Sequence, residues 1–263
     1  MGKYTAIDDP SAHFQAQTYT GSGAPQDITN TGNSDLQPDM VWTKIRTTAN
    51  GAPNISDSTR GVSASSGKWI RTDSSTSEND DANGIRAFNS DGFKTGDGWF
   101  NGASSYPYIA WQWKANGGTT SSNTDGNITS TVQANTDAGF SIVTYTGNFT
   151  ATQTVGHGLG IRPDMVIIKN RDTAVDWVVW TKDLTSGNFL KLNDTNAQSS
   201  SSRIYQNGFT TSTFGIGANN AVNKSGDDFI AYCFNSVQGY SKFGKYVGNS
   251  NDNGTFVYLG FKP

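Results

Sequence analysis

Short apolar runs, each bounded by Gly, Asn, Asp or Pro, recur along the 263-residue chain. Residues 139–146 and 164–170 are β-branched and aromatic runs between such punctuators, and they predict strands. In residues 108–113, Ile109, Trp111 and Trp113 fall on one face of an extended chain. Ile230, Tyr232 and Phe234 do the same in 229–234, because side chains of a strand alternate between two faces. Asp91-Gly92 and Asn207-Gly208, each just before a Phe, predict tight turns.

These runs are written twice. Residues 14–21 end in Tyr19-Thr20-Gly21, and residues 140–147 end in Tyr145-Thr146-Gly147. Pro38-Asp39-Met40-Val41 recurs as Pro163-Asp164-Met165-Val166, followed by Lys44 and Arg46 in one copy and Lys169 and Arg171 in the other. Asp91-Gly92-Phe93 is matched to Asn207-Gly208-Phe209, and 108–113 to 229–234. Landmarks in one order at a spacing of roughly 120 residues define a domain-sized repeat. The expected organisation is an N-terminal arm (1–13), a first β-sandwich (14–115), a Gly/Ser/Thr/Asn-rich linker (116–136) and a second β-sandwich (137–238). Residues 239–263 resemble the opening of a third copy and are expected to be either the start of a third repeat or a terminal β-hairpin that completes a neighbouring domain or subunit.

Composition sharpens the fold class. Only 34% of residues are hydrophobic, but 12% are aromatic, and each aromatic ring buries a large area. Glu78 is the only glutamate; every other acid is Asp. Asp, Asn, Ser and Thr compete with helical hydrogen bonds, so almost no helix is expected. The expected fold is all-β: two tandem sandwich domains, jelly-roll-like or concanavalin-like, with a C-terminal β extension. A net charge of −3 with no basic run argues against nucleic acid as a partner. Cys233 is alone, which excludes a disulfide frame. No apolar run is long enough to span a bilayer, so no membrane insertion is expected. The first residues carry no apolar signal region, which points to synthesis in a cytoplasm.

Several phrases carry a resemblance. Residues 7–11 (Ile-Asp-Asp-Pro-Ser), Tyr19-Thr20-Gly21, residues 32–39, residues 123–132 and residues 239–243 are similar to a repeat of marine tailed-phage structural proteins. The resemblance covers essentially the whole chain. It implies a virion component on the particle exterior, tail-fibre-like or structural, with other virion proteins as partners and no catalytic residues. Repeated β domains of phage fibres also imply a homo-oligomer, a trimer first.

The candidate chemistry is thin. His13 and His157 are the only histidines, and Gly156-His157-Gly158 reads as a turn rather than a catalytic loop. A glycosidase needs two carboxylates facing across a cleft, and Glu78 sits in a Ser/Asn/Asp stretch with no evident partner. No cofactor is expected. Ca²⁺ is the one ion for which ligands are on offer: Asn79, Asp81 and Asn83 alternate before Gly84, but Ser90 stands where an EF-hand-type loop needs its last acid. Trp111 and Trp113 are matched by Tyr232 and Phe234, so bulk is kept while chemistry changes, as at core positions. Trp99, in a glycine-rich loop with Asp97 and Asn101, is the better candidate for ligand contact, a host-surface glycan being the expected ligand. The expected function is therefore a non-enzymatic virion-surface module of tail-fibre or glycan-binding type, with capsid decoration as the alternative and a depolymerase as the third reading.

Overall fold

A computed structural model describes residues 5–47, 51–202, 204–205 and 208–261, and it is all-β and sandwich-type. The first repeat contains β1 (Phe14–Thr20), β2 (Asp27–Ile28), β3 (Met40–Ile45), β4 (Asn54–Asp57), β5 (Gly67–Arg71), β6 (Asn79–Asp81), β7 (Ala87–Asn89), β8 (Gly92–Lys94) and β9 (Pro107–Trp113). Then follow β10 (Ser121–Asn123), β11 (Ser130–Asn135), β12 (Phe140–Thr146), β13 (Gln153–Gly156), β14 (Met165–Asn170) and β15 (Val178–Thr181). The chain continues through β16 (Asn188–Lys191), β17 (Ser199–Ser200), β18 (Thr213–Ile216), one helical turn α1 (Asn220–Asn223) and β19 (Asp228–Phe234).

A large antiparallel sheet, β1-β9-β3-β4-β5-β6, packs in repeat 1 against the small sheet β2-β8-β7. Repeat 2 does the same with β10-β11-β12-β19-β14-β15-β16-β17 and β13-β18. The registers correspond: Tyr19 faces Tyr108 and Met40 faces Trp113, while Tyr145 faces Phe229 and Met165 faces Phe234. The Tyr19 and Tyr108 rings stack at 5.1 Å and 10°, and Tyr145 and Phe229 at 5.1 Å and 9°. The Pro-Asp-Met corner has one job in both copies. Asp39 accepts from the backbone N–H of Ala115, Gly117 and Gly118, and Asp164 from that of Ser236. Each carboxylate thereby fixes the chain as it leaves the last strand of its repeat.

Four expectations need correction. First, Ile109, Trp111 and Trp113 are half-buried, and the wholly buried residues of β9 are Tyr108, Ala110 and Gln112. The face of Trp113, Ile230, Tyr232 and Phe234 is the seam between repeats, where Met40, Ile55 and Ile70 meet Phe140, Ile142, Ile167, Trp177 and Tyr232. Second, the 116–136 segment carries β10 and β11, and β11 pairs along β12. Ile128 and Val132 enter the repeat-2 core, but the segment reads as a linker because its other buried side chains are polar: Ser130 donates to the Gly156 carbonyl, and Gln133 donates to Ser58 and Thr59 of repeat 1. Third, Phe93 corresponds in space to Phe214, not Phe209. Phe93 meets Tyr19 edge-on and Phe214 meets Tyr145 edge-on, while Phe209 bridges Phe214 as Phe88 pairs with Phe93. Asn207 lies outside the described residues. Fourth, residues 244–261 form no strand among the described residues, so the expected hairpin is absent there; residues 1–4, 262 and 263 lie outside the description.

The seam is ionic as well as apolar. Arg60, wholly buried, pairs through Nε with Asp57 at 2.5 Å and through Nη1 with Glu78 at 3.0 Å. Arg171 of repeat 2 clamps the same Glu78 at 2.9 and 3.1 Å. Tyr232 donates its hydroxyl to Asp57 at 2.7 Å. Trp177 donates Nε1 to the Arg71 carbonyl at 2.7 Å. Burial raises the Glu78 pKa, but the Arg171 and Arg60 guanidiniums reverse this and hold its carboxyl below the usual range.

Lys169 is also buried. Its Nζ donates to the Asn170 carbonyl at 2.8 Å, and Asp176 is the acid that offsets its charge. Burial outweighs Asp176 and pulls the amine down to about 8 from 10.5. Between those values the unfolded chain holds a proton that the folded chain has released, so stability rises with pH through that window. Lys169→Met is expected to be more stable than wild type at pH 7, with the gap shrinking as pH climbs from 8 to 10.5. Urea denaturation of both chains across that range measures it; a pH-independent gap would contradict the assignment.

Candidate functional site

The two loops singled out in repeat 1 meet at one end of its sandwich. β6 leads into the turn 81–84, and the 95–102 loop lies against that turn, with the Asp97 N–H donating to the Ala82 carbonyl. A side chain at Gly96 would collide with the Ala82 and Gly84 carbonyls, which is why the loop needs glycine there. Arg86 fastens the arrangement. Its Nη2 reaches Asp97 Oδ2 at 3.1 Å and the Ala82 carbonyl at 3.2 Å.

Asn101 sits at the centre and is fully buried, so the assignment of this residue to ligand contact is corrected. Its Oδ1 accepts from the Gly96 N–H at 2.8 Å, and its Nδ2 donates to the Asn83 carbonyl. Its carbonyl accepts from the Tyr19 hydroxyl at 2.8 Å. A short amide that completes two turns at once is a structural staple. Asp97 is exposed and paired with Arg86. Trp99 is half-buried, meets Tyr106 at a centroid distance of 4.6 Å, and accepts the Tyr108 hydroxyl on its carbonyl at 2.8 Å. Of the three, Trp99 and Asp97 retain accessible surface.

The Asn79, Asp81 and Asn83 set departs from a cation cage. Asp81 Oδ1 accepts from Trp69 Nε1 and from the Asn83 N–H, both at 2.8 Å, and Asn79 Nδ2 donates to the Ser77 carbonyl at 3.3 Å. The Asp81 carboxylate serves the turn. Among the described residues no group of three or more His, Cys, Asp or Glu side chains is placed to hold a metal ion.

An open groove of about 640 Å³ adjoins this tip, and the sequence reading missed it. Gln37, Ser58, Ser63, Arg86, Phe88 and Lys94 line it. Phe88 supplies an aromatic ring, Lys94 a cation half-paired with Asp27 at 3.8 Å, and the serines and Gln37 supply hydroxyl and amide groups. None of the residues lining it is acidic. Its only signal in the sequence was two basic residues flanking Phe88 in a chain poor in charge. Such a surface can stack on and hydrogen-bond to a polar ligand, but offers no acid–base pair.

The residues on which an enzyme reading would turn are elsewhere. Glu78 is locked between two arginines in the seam. His157 is fully buried, accepts the Leu159 N–H on Nδ1 at 3.2 Å, and is held below the ordinary imidazole range by burial. It closes a turn.

The geometry defines an all-β, sandwich-type protein of two repeats fused through a buried seam, with a polar loop tip and groove on one repeat. The chain belongs to the family described as a domain of unknown function (DUF7483), whose model matches residues 9–263. No curated protein and no solved structure matches the chain.

Proposed function

We propose that this chain is a structural module of a tailed-phage virion exterior, of tail-fibre type, that binds host-surface glycan without cleaving it. The observation that carries the reading is the contrast between groove and seam. The groove beside the Arg86–Asp97 pair offers Phe88, Lys94 and neutral polar groups to a sugar, while the chain's only glutamate is ion-paired in the interior. Retaining and inverting glycosidases both need two carboxylates facing across the bond they cut. A rigid β scaffold that carries polar loops at one end suits recognition. The resemblance to marine tailed-phage repeats supplies the setting, with other virion proteins and copies of the same chain as partners.

Binding of the purified chain to immobilised host polysaccharide tests this. Phe88→Ala and Lys94→Ala are each expected to weaken retention at least tenfold, with no reducing ends released by wild type. Released reducing ends, or retention unchanged by both substitutions, would overturn the glycan reading. Antibody to the chain is expected to label intact particles, and unlabelled particles would overturn the virion reading. Capsid decoration is the second reading, favoured by the exposed apolar residues near the C-terminus; labelling confined to heads would decide for it.

A further inference from the structure

Strand β12 of repeat 2 is paired on both sides, with β19 and with β11. Among the described residues its counterpart β1 is paired with β9 alone. The bonds from Lys114 N–H to the His13 carbonyl and from Gly21 N–H to the Tyr106 carbonyl fix the odd residues of β1 as those bonded to β9. The backbone groups of Phe14, Ala16, Thr18 and Thr20 therefore point to the free edge. Among the described residues only side-chain amides reach that edge, Gln17 to the Thr18 carbonyl and Gln26 to the Thr20 carbonyl. Strand β1 reads Phe-Gln-Ala-Gln-Thr-Tyr-Thr, with neither the charge nor the proline that usually blunts an exposed edge.

A segment with the opposite deficit lies in the same chain. Residues 255–259 (Thr-Phe-Val-Tyr-Leu) belong to no strand, yet Phe256 is 85% exposed and Tyr258 73%. Exposed aromatics clustered in this way mark an unfilled contact. Phe256 and Tyr258 are two residues apart and so share one face of an extended chain. On β1, Ala16 and Thr18 are small and exposed, and they stand beside half-buried Trp111 and Ile109 on the same sheet face.

We propose that residues 255–259 of one copy add antiparallel to β1 of a second copy, filling the place that β11 fills in repeat 2. Thr131 and Gln133 of β11 face Thr144 and Ile142 of β12, so the matching register sets Phe256 opposite Thr18 and Tyr258 opposite Ala16. The rings then cover Trp111 and Ile109, and the backbone supplies the missing hydrogen bonds. Each copy donates one tail and receives another, so the contact is head-to-tail and closes as a ring or runs on as a filament.

Sedimentation of the purified chain tests the contact independently of where it sits on a particle. Wild type is expected at two or more times the 28.1 kDa monomer mass. Thr18→Pro, which removes only an outward N–H, and Phe256→Ser/Tyr258→Ser are each expected to be folded monomers by circular dichroism. Mixed together, they retain one intact donor and one intact edge and are expected to form a 1:1 dimer. Ala16→Cys and Tyr258→Cys chains, mixed under mild oxidation, are expected to crosslink to each other but not to themselves; the native Cys233 is buried. A monomeric wild type at 100 µM, a crosslink formed within a single Ala16→Cys/Tyr258→Cys chain, or failure of the mixed variants to associate would overturn it.

Discussion

Arg60→Met is expected to lower the unfolding free energy by about 3–5 kcal/mol, the usual cost of removing one partner from a buried ion pair. The guanidinium is wholly buried, and so is the Asp57 side chain. Burial alone would depress the arginine's pKa, but Asp57, Tyr232 and Glu78 more than reverse this and hold it charged. Without Arg60, Asp57 keeps the Tyr232 hydroxyl and loses its countercharge. Methionine fills the volume but leaves the carboxylate buried. Glu78 keeps Arg171, so its loss is smaller. Arg60→Lys should fall between, because one ammonium cannot reach Asp57, Glu78 and the Ile55 carbonyl together. Acid reports the same network. The folded pKa of Glu78 is depressed, so its stabilisation is present above the unfolded value near 4.5 and is lost as pH falls through the folded one. Guanidinium titrations at pH 7 and pH 4 measure both effects. A loss under 1 kcal/mol in Arg60→Met would mean that the seam charges are solvated in solution.

The repeat was legible because its landmarks sit where backbone geometry is demanding. Asp39 must accept three backbone N–H groups and Asp164 the N–H and hydroxyl of Ser236 at the strand exit, and Tyr19 and Tyr145 must stack on the last strand. The seam was not. Strands of these large sheets are covered on both sides, so period-two alternation marks two faces without telling the inner core from the inter-repeat contact. Gln112 illustrates the difficulty. It is fully buried because its amide donates to Asn30, 82 residues away, which no local pattern signals. Polar strands were hidden for the same reason: Gln133 in β11 looks like a linker residue until its partners in repeat 1 are known. At the candidate site, Trp99 and Asp97 were legible as a loop, whereas the burial of Asn101 and the groove beside Phe88 depend on loops distant in the chain.

Trp177→Ala is expected to cost about 3–5 kcal/mol, the range for truncating a buried aromatic. Trp177 is fully buried in the seam, lies 6.5 Å from the Tyr232 ring and donates to a carbonyl of the other repeat. The substitution therefore opens a cavity and orphans the Arg71 carbonyl together. Trp177→Phe keeps most of the apolar volume and should lose roughly half as much. Because seam residues come from both repeats, wild type should unfold in one transition, with tryptophan fluorescence and circular dichroism coincident. Tyr232 links this site to Arg60, since it touches the Trp177 ring and bonds the arginine and Asp57. The two substitutions should then be non-additive, with a coupling energy of about 0.5–3 kcal/mol in a double-mutant cycle. Strict additivity, or two separate wild-type transitions, would show that the repeats merely dock, and that the charges and the aromatic seam act independently.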